Sequence, residues 1–234
     1  MTTGRRAALL GILALAVFLG AVTAGFAYDD PHAIIENPVV KGDVPPWQAF
    51  ARDYWGKPRE QTNGSYRPLA LLSLTLDGYL GRMSPFPFHL TNVLLHVAVV
   101  VAVYLVWRRI VAESIAFAGA ALFAVLAASA EAVQAVAGRA DLLVALFATV
   151  GLLAHQGPGR LNAIKAALCL GLALGSKESG VAVPFAWASV DLLSAARPSL
   201  ARYALYLLPM GAWAAAKAWA TGFKVAMDPI GNPL

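Results

Sequence analysis

Long apolar blocks are the feature that most constrains the fold of this chain. The first runs from Ala7 to Ala27 without a charged residue, and about 20 such residues suffice to cross a bilayer. Further blocks follow at about 86–107, 110–130, 140–155, 162–175, 179–194 and 201–220. The sequence therefore predicts an all-α, polytopic membrane helical bundle of about seven spans. The block at 162–175 is short enough to be tilted or partly re-entrant.

Composition agrees with a membrane protein and excludes an ordinary soluble domain. Hydrophobic residues make up 59% of the 234 residues and charged residues only 13%, with a mean hydropathy of +0.64. The formal net charge is +5, but the basic residues occur in ones and twos between apolar blocks, so we expect no nucleic-acid partner. The single Cys169 lies in an apolar block and is interpreted as a packing residue. No cofactor is expected; a divalent cation stays open, although no cluster of ligands supports one.

The amino-terminal segment resembles either a secretory signal or a membrane anchor. Arg5 and Arg6 precede the first apolar block, as basic residues precede the core of a signal peptide. The block is longer than the usual signal core of about 7–15 residues, and no convincing small-residue cleavage site precedes Tyr28. We therefore expect an uncleaved anchor.

Basic residues predict the orientation in the membrane. If every block crosses, one side receives four groups of basic residues: Arg5-Arg6, Arg108-Arg109, Arg160 with Lys165, and Arg197 with Arg202. The positive-inside rule makes that side cytoplasmic. The other side then receives a long first outer loop at 28–84 and the turns at 131–141 and 177–178. Because the spans are rich in Ala and Gly, we expect a bacterial inner membrane with the site facing the periplasm or exterior.

The first outer loop carries two short apolar stretches. Pro46–Phe50 and the stretch from Pro68 to Leu80 are predicted to be helices that lie on the membrane surface. Asp29 and Asp30 open this loop directly after the first block. A carboxylate in that position could accept a proton from a substrate held at the bilayer surface. The alternative is that the two acids only mark the return of the chain to water.

Polar residues within the second block share one helical face. His89, Asn92 and His96 are spaced i, i+3 and i+7. Polar groups in a span usually face the bundle interior or a wet cavity, because lipid offers them no partner. They are predicted either to line a site or to join helices by hydrogen bonds.

Cations lie beside acids in two later outer turns. One turn contains Glu131, Arg139 and Asp141, and the other contains Lys177 and Glu178. The forked donors of an arginine suit a phosphate, so Arg139 is a candidate phosphate ligand. The alternative is that Arg139 and Asp141 neutralise each other at the ends of a helix.

Several motifs together resemble a known family, the transmembrane-and-TPR O-mannosyltransferases of the GT-C superfamily of glycosyltransferases. The motifs occur in the family's order: FAYDDPHAIIENP at 26–38, SYRPL at 65–69, FHLTNVLLH at 88–96, GRAD at 138–141, SKESG at 176–180 and DPIGNPL at 228–234. Each motif is weak alone, while the series is fairly specific. The whole chain, 1–234, is accordingly interpreted as a single GT-C-like transmembrane module.

The resemblance implies a reaction as well as a fold. Members transfer a sugar, in this family mannose, from a polyprenyl-phosphate-linked donor to the hydroxyl of a protein or glycan acceptor on the non-cytoplasmic face. Carried over, Asp29 is the base with Asp30 beside it, and Arg139 and Lys177 bind the donor phosphate. The residues expected to line the site are His89, Asn92, His96, Glu131, Asp141, Glu178 and Arg67.

Two departures from the family leave the activity of this polypeptide open. Members have a His-Pro-x-His-x-Glu stretch after the third span. The corresponding stretch of this chain, Leu126 to Glu131, contains only the Glu of that motif. Members also continue past the position of Leu234 into more spans and a TPR region, so a fragment, a split gene product and a degenerate paralogue are all open. The competing hypothesis is a non-catalytic membrane scaffold or partner subunit. A lipid-linked-sugar transporter is disfavoured because the charged groups gather at one boundary rather than at the midplane.

Overall fold

The structure is a computed structural model, which describes residues 1–194 and 199–222. The described residues form helices and connecting turns, without a strand, as the sequence predicts. The α-helices are α1 (Thr3–Phe18), α2 (Pro38–Lys41), α3 (Pro68–Gly81), α4 (Pro85–Trp107), α5 (Glu113–Val125), α6 (Ala130–Gln134), α7 (Arg139–His155), α8 (Arg160–Ser176), α9 (Val183–Leu193) and α10 (Leu200–Thr221). Short 3-10 or π-helical turns lie at Leu19–Thr23, Pro31–Ile35, Pro46–Phe50, Ala127–Ser129, Val136–Gly138 and Glu178–Ala182.

Helix ends follow local sequence signals. Proline opens α2, α3 and α4, where its missing N–H would have no partner inside the helix. The Asn37 side chain caps α2 by accepting a hydrogen bond from the Val39 N–H at 3.1 Å. Gly42 and Gly222 follow α2 and α10 at φ of 83° and 63°, a left-handed conformation that glycine adopts without steric cost. These signals fix where several helices begin and end.

The long helices run back and forth between two ends of the bundle. At one end, Tyr104 of α4 donates to Glu113 of α5 at 2.9 Å, and Arg202 of α10 donates to the carbonyl of His155 in α7. At the other end, Lys177 after α8 contacts Asp141 in α7. We call these the His155 end and the Asp29 end. The predicted outer turns thus gather at the Asp29 end.

Three described helical segments are long and apolar enough to cross a membrane: Thr3–Thr23, Pro85–Trp107 and Val136–His155. The segments Glu113–Val125 and Ala127–Gln134 would make a fourth if their 53° bend lies within one broken span. The predicted blocks at 162–175, 179–194 and 201–220 are helical, as α8, α9 and α10, but do not pass this test. Seven crossings and a GT-C-like module therefore stay predictions.

The predicted first outer loop packs onto the Asp29 end of the bundle. The predicted helices at Pro46–Phe50 and from Pro68 are confirmed as helices. Leu71 and Leu74 of α3 are completely buried in a cluster with Ile34 of the loop and Phe88 of α4. Burial of large apolar side chains stabilises the folded state by about 1.5–3 kcal/mol each. The loop is thus a packed element that can hold side chains in position.

Candidate functional site

The adjacent acids Asp29 and Asp30 have opposite environments. Tyr28 precedes them at φ 53°, a left-handed backbone conformation that is unusual for an aromatic residue. Asp30 is completely buried, and its two carboxylate oxygens accept hydrogen bonds from the N–H groups of Ala27 at 3.1 Å and Ala137 at 2.8 Å. Asp29 is exposed. The prediction of Asp30 as a second catalytic carboxylate is corrected here, because its oxygens are occupied in joining the first loop to the 136–138 turn.

Asp29 lies on a cavity of about 900 Å³ at the Asp29 end, which we call the Asp29 cavity. One side comes from the first loop, through Tyr54, Trp55 and Arg67. The facing side comes from the segment between α5 and α7 and from the end of α8. That side is lined by Ala128, Glu131, Ala132, Gln134, Ala135, Ala137, Gly138, Asp141 and Lys177. The cavity therefore combines charged groups with a run of small apolar side chains.

Two cations line the Asp29 cavity, and each contacts a carboxylate. Lys177 Nζ lies 2.6 and 2.7 Å from the two carboxylate oxygens of Asp141. Arg67 Nε donates to Glu178 at 2.9 Å, and its guanidinium lies over the Tyr54 ring, 5.0 Å from the ring centroid. Among the described residues, Asp29 forms no salt bridge with either cation. Asp29 and the two cations thus line the same cavity without pairing with each other.

Glu178 sits behind Arg67 and does not line the cavity. It also accepts a hydrogen bond from the backbone N–H of Tyr66 at 2.5 Å. Partial burial raises the pKa of this carboxyl, but the charge of Arg67 and the hydrogen bonds outweigh burial, so that the pKa is lowered. Glu178 therefore stays ionised and positions Arg67. Its prediction as a site-lining residue is corrected to a supporting one.

A second cavity of about 660 Å³ adjoins the first and shares Asp29 and Trp55 with it. All of its lining comes from the first loop, including His32, Glu36, Arg52, Lys57, Gln61 and Asn63. We call it the loop cavity. Asp29 thus lies on the boundary between two open spaces.

Arg139 does not line either cavity, contrary to the prediction that it binds the donor phosphate. The side chain is completely buried and its Nη1 lies 2.6 Å from Asp77 Oδ2. Its other donors contact Asn92 Oδ1 at 2.9 Å, Ser73 Oγ at 3.1 Å and the Phe88 carbonyl at 2.8 Å. In this arrangement the guanidinium is fully used within the bundle. The alternative of a pair with Asp141 is also wrong, because Asp141 pairs with Lys177.

His89, Asn92 and His96 contact neighbouring segments and line neither the Asp29 cavity nor the loop cavity, contrary to their prediction as residues lining the site. Each is buried. Asn92 Nδ2 donates to the Ala135 carbonyl at 3.0 Å, and the histidines lie within hydrogen-bonding distance of the carbonyls of Gly25 and Ala124. The alternative that these residues join helices is the one observed. Glu131 and Asp141, in contrast, do line the Asp29 cavity, as does Arg67.

Sequence reasoning missed several residues that shape the site. Asp77 lies within the apolar stretch of α3 and was not predicted as a site residue. An ionisable residue in such a stretch nevertheless indicates a buried partner. Tyr54 is buried, lines the Asp29 cavity and donates from its hydroxyl to the Ala137 carbonyl at 3.1 Å. Burial raises the pKa of Tyr54, which keeps the hydroxyl protonated. No local pattern marked Tyr54, because its partner is 83 residues away.

Metal-ligating residues do not gather in the part of the chain that the structure describes: no group of three or more His, Cys, Asp or Glu side chains is placed to hold a metal ion. The DPIGNPL motif at 228–234 lies outside the described residues.

The chain is similar to protein O-mannosyl-transferases of animals. It is 30% identical over 216 residues to protein O-mannosyl-transferase F38B6.6 of Caenorhabditis elegans, which covers 88% of this chain and 31% of the relative. It is 41% identical over 133 residues to Tmtc1 of Drosophila melanogaster, covering 56% of this chain and 16% of the relative. It is 35% identical over 155 residues to TMTC1 of Homo sapiens, covering 64% and 18%.

The aligned region thus spans less than a third of each of these relatives. No protein-family model matches the chain, and no solved structure matches it significantly. The animal origin of these relatives lends no support to a bacterial inner membrane, whereas the candidate spans support an integral membrane protein. These matches confirm the resemblance that the motifs indicate.

Proposed function

Because the chain is a homologue of the protein O-mannosyl-transferases, we propose that it is the core of a membrane glycosyltransferase, or part of one. In this proposal a sugar, with mannose as the candidate from the relatives' names, passes from a polyprenyl-phosphate-linked donor to an acceptor hydroxyl. Asp29 is the base. The observation that carries the proposal is the exposed Asp29 carboxylate at the boundary of two cavities, each of them lined by two cations.

The Asp29 cavity suits the donor. Lys177 and Arg67 supply positive charge for the donor phosphate, and preorganised cations stabilise the charge that develops on a leaving group. Ala128, Ala132 and Ala135 offer a small, apolar surface for the lipid chain beside that phosphate. Lys177 must then exchange Asp141 for the phosphate. This exchange is feasible because exposed ion pairs contribute only about 0–1 kcal/mol.

The loop cavity suits the acceptor. It shares Asp29 with the Asp29 cavity and combines hydrogen-bonding side chains, such as Gln61 and Asn63, with the ring of Trp55. A hydroxyl held in the loop cavity lies beside Asp29, whereas Lys177 lines only the Asp29 cavity. Acceptor and departing phosphate would then occupy separate spaces that meet at Asp29.

The chemistry is a single displacement. The acceptor oxygen forms a bond to the anomeric carbon while the bond from that carbon to the phosphate oxygen breaks. Asp29 takes the hydroxyl proton, and the electron pair of the broken bond stays on the polyprenyl phosphate, next to Lys177 and Arg67. Proton acceptance by a positioned carboxylate typically accelerates such a step by about 10²–10⁴-fold. One displacement inverts the anomeric configuration.

The basic residues of the short turns support an orientation in the membrane. Arg6, Arg109, Arg160 and Arg202 belong to the His155 end, opposite Asp29, and basic loops favour the cytoplasmic side. We therefore place the Asp29 end on the non-cytoplasmic face.

A non-catalytic scaffold is the second candidate. Burial of Arg139 against Asp77 favours it, because the arginine of the GRAD motif then serves the packing of the bundle. The pairing of Lys177 with Asp141 favours it as well, since the cavity already neutralises its own charges.

Transfer by an Asp29→Asn variant separates the two candidates. The variant is made in the longest reading frame that contains this sequence, and the purified protein is reconstituted with a polyprenyl-phosphate mannose and a hydroxyl-bearing peptide. We expect transfer to fall by at least about 10²-fold with unchanged thermal unfolding. Asp43→Asn, an exposed acid of the same loop paired with Lys41, is the matched control and should retain transfer. Full transfer by Asp29→Asn would refute the base assignment, and an inactive native protein would favour the scaffold.

A further inference from the structure

A third cavity, of about 480 Å³, lies at the His155 end, opposite the proposed transfer site. We call it the His155 cavity. It is formed where the turn after α4 meets the end of α7, the end of α9 and the start of α10. Its charged and polar lining comprises Arg109, His155, Gln156, Asp191, Ser194, Ser199 and Arg202. None of these residues except Arg109 and Arg202 was singled out from the sequence.

A buried network fixes the carboxylate of Asp191 in this cavity. His155 Nε2 lies 3.0 Å from Asp191 Oδ2, and the Tyr203 hydroxyl donates to the same oxygen at 3.0 Å. His155 is almost fully buried, with its Nδ1 at 2.7 Å from the Tyr206 hydroxyl and its ring stacked on Trp187. Asp191 is therefore held in one orientation, and its Oδ1 accepts no hydrogen bond from the described residues.

A second acceptor in the cavity also lacks a partner. Gln156 Oε1 is buried and forms no hydrogen bond with any described group. A buried amide oxygen without a donor is destabilising, so a ligand that donates to it is favoured. Together, Gln156 Oε1 and Asp191 Oδ1 form an acceptor pair suited to a ligand with several N–H groups and a positive charge.

Two arginines supply donors at the same cavity. Arg109 Nη1 donates to the Leu153 carbonyl at 2.9 Å, while Arg202 donates to the carbonyls of His155 and Gly157. These contacts cap the carboxyl-terminal end of α7, where carbonyls lack helical partners. Arg109 Nε and Nη2 and Arg202 Nε donate to no described residue. The free donors suit the oxygens of a phosphate.

Apolar side chains continue from the cavity onto the outer surface of the bundle. Ile110 lines the cavity and is 41% exposed. Leu193 and Leu200, next to Ser194 and Ser199, are each 85% exposed. Large exposed apolar side chains at the end of a membrane bundle are suited to contact acyl chains. The ligand is thus expected to carry an apolar part beside its polar group.

From these contacts we infer that the His155 cavity binds the headgroup of an amine-bearing zwitterionic phospholipid. The phosphate contacts Arg109 and Arg202, and the primary ammonium donates to Asp191 Oδ1 and Gln156 Oε1. His155 is a positioning residue, because it orients Asp191 without contacting the lipid. The acyl chains lie along the exposed leucines. A headgroup without a cation would bring its phosphate close to the Asp191 carboxylate, and no positive charge on the lipid would offset the repulsion between the two.

Native mass spectrometry of the purified protein in detergent tests the inference. Phospholipids with ethanolamine, choline and glycerol headgroups and identical acyl chains are titrated separately. We expect the ethanolamine lipid to bind about tenfold more tightly than the glycerol lipid, as one charge-assisted hydrogen bond would produce. Asp191→Asn and Gln156→Leu should each reduce this preference, and Gln156→Leu keeps the test valid if Asp191→Asn unfolds.

Arg109→Gln tests the phosphate contact. It should weaken binding of all three lipids by about tenfold, whereas Arg108→Gln, which removes the same charge from an exposed neighbour outside the cavity, should leave binding nearly unchanged. Equal affinity for the three headgroups, or equal loss in both arginine variants, would overturn the inference. Displacement of the lipid by soluble phosphoethanolamine at equal concentration would show that the cavity takes the free phosphate ester instead, and would overturn the lipid assignment.

Discussion

Asp29 and Asp30 are neighbours in the chain, yet Asp29 is exposed on two cavities while Asp30 is completely buried. Tyr28, in a left-handed backbone conformation, immediately precedes the pair. Asp30 Oδ1 accepts from the N–H of Ala137, 107 residues along the chain. The buried acid thereby ties the loop to the bundle and places its neighbour at the cavity.

Replacement of the buried acid should damage folding more than chemistry. In Asp30→Asn, an NH2 group replaces one of the two carboxylate oxygens and faces a backbone N–H group. That buried N–H group then has no acceptor. We expect a loss of unfolding free energy of about 1–3 kcal/mol, measured by thermal unfolding in detergent. Asp29→Asn, at the exposed position, should keep the native melting temperature. Equal melting temperatures for the two variants would contradict the separate roles.

The ion pair of Lys177 with Asp141 should regulate donor affinity in two directions. Lys177→Gln removes the cation and should weaken binding of a polyprenyl-phosphate sugar by about tenfold. Asp141→Asn frees the same cation and should tighten binding, by about fivefold at most, because the pair is exposed. Equilibrium binding of a fluorescent donor analogue measures both. Lys41→Gln, an exposed loop variant, is the control. Weaker binding in Asp141→Asn would mean that Asp141 itself contacts the donor.

Arg139 should contribute to stability rather than to donor binding. Arg139→Lys loses the fork that reaches Asn92, Ser73 and the Phe88 carbonyl, and leaves buried acceptors without donors. Each buried acceptor left without a donor costs about 1–3 kcal/mol, so we expect a marked drop in melting temperature. Arg108→Lys, at an exposed position, should cause none. Replacing Arg139 and Asp77 together by Met and Leu should be less harmful than replacing Arg139 alone by Met. A stable Arg139→Lys variant with impaired donor binding would restore the phosphate assignment.

The contact of Arg67 with Glu178 should give the protein an acid-sensitive stability. The folded-state pKa of Glu178 is lowered below its ordinary value, because the charge of Arg67 and the hydrogen bonds outweigh burial. Its contribution is therefore fully present above the unfolded-state pKa of about 4.3 and is lost as the pH falls through the folded-state pKa. Melting temperatures of native protein and Glu178→Gln should differ near neutral pH and converge once the pH has fallen through the folded-state pKa of Glu178. A constant difference over that range would show that the carboxylate charge contributes nothing.

The sequence by itself determined the helices and the side of the bundle on which the charged turns meet. Apolar blocks predicted the helical segments, because long runs without charge have few alternatives to a helix in or beside a membrane. The alternation of basic and acidic turns placed Asp29, Asp141 and Lys177 at one end, and these three line one cavity in the structure. Block length alone did not decide how many of the helices cross, since α8 and α9 have only 17 and 11 residues.

Only the tertiary structure decided which of these polar residues are free to act. Spacing placed His89, Asn92 and His96 on one helical face, but not whether that face meets a cavity or another helix. Asp30 meets Ala137 and Arg139 meets Asn92 across separations of 107 and 47 residues, distances at which local periodicity carries no information. A buried polar group takes whichever partner the packing of distant segments presents, because leaving it without one costs more than the hydrogen bond contributes. For this reason Asp29 could be recognised as a candidate from its place in the chain, while the buried roles of Asp30 and Arg139 could not.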